Sequence, residues 1–330
     1  MRSKIFFEKK LEYLYKSTYM SLKDFYPKGS KVLVKIHFGE PGNKTAFVPK
    51  DVEMVIRAIR DLGLKPIFID TPVAYNSPRG SVKEYEKVVR DRGYDKLAKF
   101  IISNEGKPVK VKDFTAEVCK PLVEAENVLV LSHIKGHVCA GFGGAIKNLG
   151  MGGNTIKAKK LQHSLCKPKF VKECQGCGTC ARLCPLGAIK MVNGKAKIDL
   201  GACAGCSICQ INCSFGCLVP QVALFDDLLA QAASALINNF PKKTYYINII
   251  KNVSKKCDCA SDGGEIISPD AGILFSENPV AIDKASIDLV KKANKGKDVF
   301  EKSNNKDPML QVNYTTDYTD WEKDYELLEL

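Results

Sequence analysis

The sequence has no window of about 18 uncharged apolar residues, the least that a membrane-crossing helix needs. Its opening stretch, MRSKIFFEKKLEYLYK, is charged throughout and holds no apolar block of the kind found in a secretory signal. Together these absences lead to the expectation of a cytoplasmic protein that does not associate with membranes. The glycine-rich segment GFGGAIKNLGMGG lacks the Gly-Lys-Ser/Thr ending of a P-loop. Ile146 stands where G-x-G-x-x-G needs its third glycine, so neither common nucleotide fingerprint is present. No recognised nucleic-acid motif accompanies the net charge of +13, and the lysines are spread along the chain. Nucleic acid is therefore the weakest class of partner.

Cysteine, by contrast, is abundant: 14 residues in 330. A reducing compartment disfavours a disulfide framework, and eight of these cysteines have metal-ligand spacing. CQGCGTCARLCP, from Cys174 to Pro185, is the Cys-x2-Cys-x2-Cys-x3-Cys-Pro run that holds a 4Fe–4S cubane. CAGCSICQINC, from Cys203 to Cys213, repeats all four cysteines 29 residues later. In such a repeat three thiolates wrap one cubane and the fourth reaches across to the other. The expected ligands are Cys174, Cys177, Cys180 and Cys213 for cluster I, and Cys203, Cys206, Cys209 and Cys184 for cluster II. Zinc, which takes separated Cys-x2-Cys pairs, fits this spacing less well. Between the runs, Asn193-Gly194 signals a type I′ hairpin. Ser214 replaces the second proline, and Cys217 falls opposite Ala188, where a small packed residue is expected rather than a spare ligand.

On both sides of this segment apolar strands alternate with amphipathic helices: KVLVKIHF, KPIFID, NVLVLSHI, KTYYINII and AGILFS are strands, separated by helical patterns. The expected fold is α/β, a mainly parallel sheet with helices on both faces, interrupted by a two-cluster ferredoxin-type α+β module. The divisions are 1–165, 166–220 for the module, and 221–330. FFEKKLEYLYKSTYMSLKDF is expected as one helix packed on the sheet, and the last twenty residues fit no element.

Ligands of an open parallel sheet bind beyond the carboxyl ends of its strands. Those ends carry Lys35, His37 and Glu40, then Asp70 with Tyr75 and Arg79, then His133, Lys135 and His137. His37, His133 and His137 are candidate bases or metal ligands, although each taken alone is more readily a structural histidine and only their gathering at one edge makes function as good a reading. Lys147 joins them as a candidate catalytic residue, and Lys35 and Arg79 suit an anionic group. Gly141, Gly143 and Gly144 either open a helix whose free N–H groups cradle an anion or merely permit close packing. Cys257-Asp-Cys259 offers a possible site for an additional metal, with a loop of incidental thiols as the alternative.

These segments resemble the uncharacterised iron–sulfur centre proteins, a family defined by a domain of unknown function carrying an inserted bacterial-type ferredoxin. VLVKIHFGEPGN, IDTPVAYNSPRGS, HIKGHVCAGFGGAIKNLGMGG, KKLQHS, both cysteine runs, and CDC followed by ISPDAGILFSENPVAIDKASIDLV carry the likeness. It implies 4Fe–4S binding and a redox role in anaerobic metabolism. Asn278, where the family usually has aspartate, and the missing glycine-rich ending depart from the pattern. The expected function is electron transfer to or from a small anionic substrate or cofactor in the α/β domain, an iron–sulfur oxidoreductase with a redox partner protein. A non-enzymatic electron carrier is the alternative, and a nucleic-acid-binding protein with structural clusters the weaker third.

Overall fold

The computed structural model describes residues 2–241 and 243–330. Eight strands form the main sheet: β1 (Ser3–Glu8), β2 (Lys31–Lys35), β3 (Lys65–Asp70), β4 (Lys99–Ile102), β5 (Val128–His133), β6 (Thr244–Ile250), β7 (Gly272–Ser276) and β8 (Tyr325–Glu329). Their order is β8-β1-β7-β6-β5-β2-β3-β4. Only β7 runs against the rest, pairing antiparallel with both β1 and β6. The fold is thus the α/β architecture expected from the alternation of apolar strands and helices.

Alternation along each strand divides the core between the two faces. Val128 and Val130 of β5 pack with Ile146, Leu236 and Val280 on one side. Leu129 and Leu131 pack with Val55, Ile59 and Val89 on the other. The helices begin where the sequence provides caps. Ser81 Oγ accepts from Glu84 N at 3.3 Å at the head of Val82–Asp91, and proline occupies the first turn of Pro49–Asp61 and of Pro279–Ala293.

At the N-terminus the expected single helix is replaced by strand β1 followed by a helix at Leu14–Leu22. The reason is non-local: Ile5 and Phe7 find core positions because Ser3–Glu8 pairs between β7 and β8. The tail that fitted no element forms the helix Met309–Tyr318 and strand β8. Asn278 ties these ends together. Its Oδ1 accepts from Val280 N and Ala281 N, while its Nδ2 donates to Ser3 Oγ and to Glu322 O, both at 2.7 Å. An aspartate could make only the first pair of bonds.

The chain enters and leaves the cysteine-rich segment through two antiparallel strands, Pro168–Phe170 and Leu218–Pro220. Within it the backbone repeats with the same 29-residue offset as the cysteines. Left-handed residues fall at Gly176 and Gly205 (φ 74° and 67°), Gly178 and Ser207 (71° and 64°), and Gly187 and Gly216 (61° and 60°). Each run contains a short helix, Thr179–Leu183 and Ile208–Ile211. The hairpin at Asn193-Gly194 joins Ile189–Val192 to Lys195–Ile198, both turn residues having positive φ.

Candidate functional site

Strand β2 continues outward to β3 and β4, whereas β5 lies on its other side and continues to β6. The direction in which strands are added to the sheet therefore reverses between the parallel strands β2 and β5, and their carboxyl ends part to leave a crevice. There lies a cavity of about 560 Å³. All four histidines of the sequence line it, together with Lys147, Lys159, Asp258, Cys257 and Cys259. So do Cys203 and Ala204, which belong to the second cysteine run.

Hydrogen bonding separates the histidines by what they can do. His133, the last residue of β5, has Nδ1 2.8 Å from Asp258 Oδ2 and Nε2 2.7 Å from Lys251 O. Both partners are acceptors, so both bonds are made only by the doubly protonated ring, which also stacks on Phe47 at 3.9 Å. Burial raises the Asp258 carboxyl most strongly, but the charge and hydrogen bond of His133, the charge of Lys135 and the Phe47 N–H together outweigh it, and the net shift is downward. His133 thus anchors the Cys257–Cys259 loop and offers no free nitrogen. At His37, Nδ1 meets Gly39 N at 3.0 Å and Nε2 meets Arg79 Nη1 at 2.8 Å. Burial and the Arg79 charge hold its ring well below the ordinary histidine range. The expectation of a free base or ligand at His37 and His133 is corrected accordingly.

His137 ends a short strand, Lys135–His137, paired with Gly141–Gly143. Its Nδ1 accepts from Cys139 N at 3.2 Å and Ala140 N at 3.1 Å, which places the proton of the neutral ring on Nε2. Burial, and then the charge of Lys147, keep this ring neutral. His163, on the helix Ile156–Leu165, has the opposite tautomer. Its Nδ1 donates to Ala204 O at 2.8 Å, leaving the lone pair on Nε2. No strand-end argument could select His163; the only sequence signal was its place in KKLQHS, just before the first cysteine run.

The cations divide in the same way. Lys35 is fully buried, 2.9 Å from Asp70 Oδ1 and 2.6 Å from Asn148 Oδ1. Arg79 is fully buried with Glu40 Oε2 at 2.6 Å and Tyr75 Oη at 2.5 Å. Each is neutralised inside the protein, which corrects the expectation that they bind an external anion. Lys147 has no carboxylate partner among the described residues; its Nζ is 3.9 Å from Cys257 Sγ, and burial lowers its amine to about 8. Lys159 donates to Thr71 Oγ1 at 2.6 Å and Pro72 O at 2.5 Å, and burial lowers it to about 7.

The anion cradle expected at the glycine-rich turn is filled by the chain itself. At the start of Ala145–Gly150, Ala145 N donates to Asp283 Oδ1 at 2.7 Å and Ile146 N to Oδ2 at 2.9 Å. A Cβ on Gly144 would lie 2.4 Å from Asp283 Oδ1, and one on Gly141 3.1 Å from Lys306 O. At these two positions glycine permits close approach, the packing alternative. Burial raises the Asp283 carboxyl to about 6.

Backbone N–H groups face the sulfurs of four of the eight cysteines in the runs. Ala196 N bonds Cys174 Sγ at 3.4 Å, and Gly205 N bonds Cys203 Sγ at 3.3 Å. Ala188 N to Cys184 Sγ and Cys217 N to Cys213 Sγ are both 3.3 Å, two equivalent contacts one repeat apart. Burial raises Cys206, and Cys203 and Cys184 add to that shift, placing the fourth thiol of the first run beside the second. Cys213 likewise neighbours Cys177. The Cys217 thiol instead donates to Glu173 O at 3.1 Å.

A family model described as Domain of unknown function (DUF362) matches residues 32–288. An uncharacterized ferredoxin of Methanocaldococcus jannaschii is 25% identical over 124 residues, 36% of this chain and 68% of that protein. The pyruvate synthase subunit PorD of the same organism is 41% identical over 63 residues, 18% of this chain and 73% of that subunit. A Thermotoga maritima protein of known crystal structure superposes with a TM-score of 0.50 and 10% identity. That match covers 88% of this chain and 60% of the other, and it shows the fold alone. No helix among the described residues is long and apolar enough to cross a membrane.

Proposed function

The chain belongs to the family described as Domain of unknown function (DUF362), and on that premise we propose that it is an iron–sulfur electron-transfer protein whose α/β cavity holds a small anionic substrate or cofactor. Similarity to a ferredoxin supports the iron–sulfur part of the reading. The observation that carries the rest is the shared wall: one cavity is lined both by strand-end side chains and by Cys203 and Ala204 of the second run. The eight cysteines would hold iron–sulfur clusters, which would supply one-electron oxidation and reduction.

The chain's own residues then divide the work on the ligand. Lys147, without a carboxylate partner, binds its anionic group. His163 Nε2 accepts a proton from it, and the His137 Nε2–H donates a hydrogen bond to it. Lys35 braces the helix that carries Lys147 through Asn148, and His133 braces the Cys257–Cys259 loop through Asp258. Away from the cavity, Cys177 is exposed. The module surface also exposes Phe170, Val171, Met191, Val192 and Phe215, an apolar face suited to a redox partner protein. That face is also what favours the second reading, a carrier that only docks partners.

Anaerobic purification followed by iron and sulfide analysis and mass spectrometry of co-purified small molecules tests the proposal. An anionic compound is expected at near one equivalent, and Lys147→Met should reduce its retention by about tenfold. A cavity that retains nothing, with electron transfer to a partner unaffected by Lys147→Met, would leave the carrier reading in its place.

A further inference from the structure

Cys257 and Cys259 are bonded to each other across a single residue, with Cα atoms 5.3 Å apart. Such a bond closes a very short loop, so it restrains the unfolded chain less than any longer crosslink and adds little to stability. Its position is more informative. Both sulfurs line the cavity and lie, with a His137 ring nitrogen, within 4.8 Å of one another. Lys147 Nζ is 3.9 Å from Cys257 Sγ and Cys259 N is 3.2 Å from it, two donors aimed at the sulfur where a thiolate would form. The loop is held on several sides. Asp258 is clamped by His133, Asn43 Nδ2 donates to Cys257 O and Ala260 O, and Tyr75 Oη donates to Cys259 O.

A metal is the obvious occupant for two cysteines and a histidine, and the hydrogen bonds argue against it. A metal-ligating imidazole normally gives its second N–H to an acceptor. His137 Nδ1 instead faces two backbone N–H donors, so its lone pair is used there and Nε2 carries the proton. Neither nitrogen has a lone pair to spare.

We propose that Cys257 and Cys259 are a reversible disulfide–dithiol couple that stores two electrons in the cavity, with the His137 Nε2–H as a hydrogen-bond donor to the sulfur, Lys147 steadying the thiolate and water supplying the protons. Reduction breaks the Sγ–Sγ bond, takes up two electrons and two protons, and leaves two thiols; oxidation reverses each term. The reductant is a low-potential one-electron donor, two equivalents per disulfide. The second run shares the cavity wall, so a donor of that class held by the chain's own cysteines lies on the correct side. The couple rests on the reading of the cavity as the working site.

The test is acid-quench thiol trapping of the intact, anaerobically purified protein after equilibration in graded dithiothreitol buffers. The Cys257–Cys259 peptide is then weighed by mass spectrometry. A reversible two-electron transition in that peptide is expected, absent in Cys257→Ser. In the reduced protein, Lys147→Met should slow alkylation of the pair at pH 7 by about tenfold, the effect of roughly one pKa unit on a thiol. A peptide that is never oxidised would overturn the couple. So would one equivalent of zinc, nickel or extra iron that disappears in Cys259→Ser while the cubane iron remains. Trapping counts sulfurs and not ligands: a reversible pair in a cavity that retains no compound would sink the ligand proposal and keep this one.

Discussion

Lys306 and Asp226 are both fully buried, with Nζ 2.5 Å from Oδ2. The same ammonium donates to Cys139 O at 2.5 Å and to Cys206 O at 2.8 Å. One side chain from the C-terminal region thereby joins the glycine-rich turn, the helix Phe225–Ile237 and the second cysteine run. Burial raises the Asp226 carboxyl even beside this partner, so removing the cation would strand a desolvated acid. Lys306→Met should lower stability by about 3–5 kcal/mol, read as a fall in the anaerobic melting temperature. Nothing in KSNNKDPML distinguishes this lysine from a solvated one, since its partner is 80 residues earlier in the sequence. The cluster cysteines are the opposite case, because their chemistry depends on local spacing that can be read directly. For the histidines, position at a strand end was legible. The tautomer, which decides use, depends on remote partners such as Lys251 O and Ala204 O.

At the scale of elements, the glycine-rich turn shows how a correct segment can carry the wrong ligand. A strand followed by glycines and a short helix is where backbone N–H groups collect, and they do collect at Ala145 and Ile146. What the local pattern could not reveal is that the helix Pro279–Ala293 brings Asp283 to meet them, with Asn248 Nδ2 donating at 2.8 Å as a third bond to that carboxylate. Two neighbouring substitutions separate packing from ligand binding. At Gly144 an alanine methyl meets a carboxylate fixed by three donors, and Gly144→Ala should destabilise by about 1–3 kcal/mol. At Gly143 the nearest atom is Lys147 Cδ at 3.2 Å, the middle of a flexible chain. Gly143→Ala should therefore stay within about 0.5 kcal/mol of the parent in the same melting experiment. Equal effects at the two sites would remove Asp283 as the reason for the glycine. The N-terminal strand was misread for a related reason: SKIFFE acquires its conformation from β7 and β8, elements some 270 and 320 residues further along.

The whole molecule concentrates cationic and titratable groups at one sheet edge. The parallel strands end there, the topology reverses there, and the inserted module closes over it with Cys203 and Ala204. Burial lowers Lys135 and Lys147 to about 8 and Lys159 to about 7, and it keeps His37 and His137 neutral. All five shifts act in one direction. The unfolded chain would protonate these amines near 10.5, so between about pH 7 and 10.5 it binds more protons than the folded protein. Stability from these groups therefore rises with pH across that window, opposed above about pH 8.5 by the buried thiols of Cys119 and Cys139, which burial raises to about 11 and about 12. Asp283 opposes this only between its unfolded value and about 6, below the range in question. The melting temperature should accordingly be higher at pH 9 than at pH 7, a trend opposite to that of a protein held by surface ion pairs with protonated lysines. Lys147→Met removes one of the responsible amines, so the gain from pH 7 to 9 should shrink by about 1 kcal/mol when the two profiles are compared. A variant profile parallel to that of the parent would mean that the Lys147 amine keeps an ordinary affinity for its proton, and that water reaches it freely in the cavity.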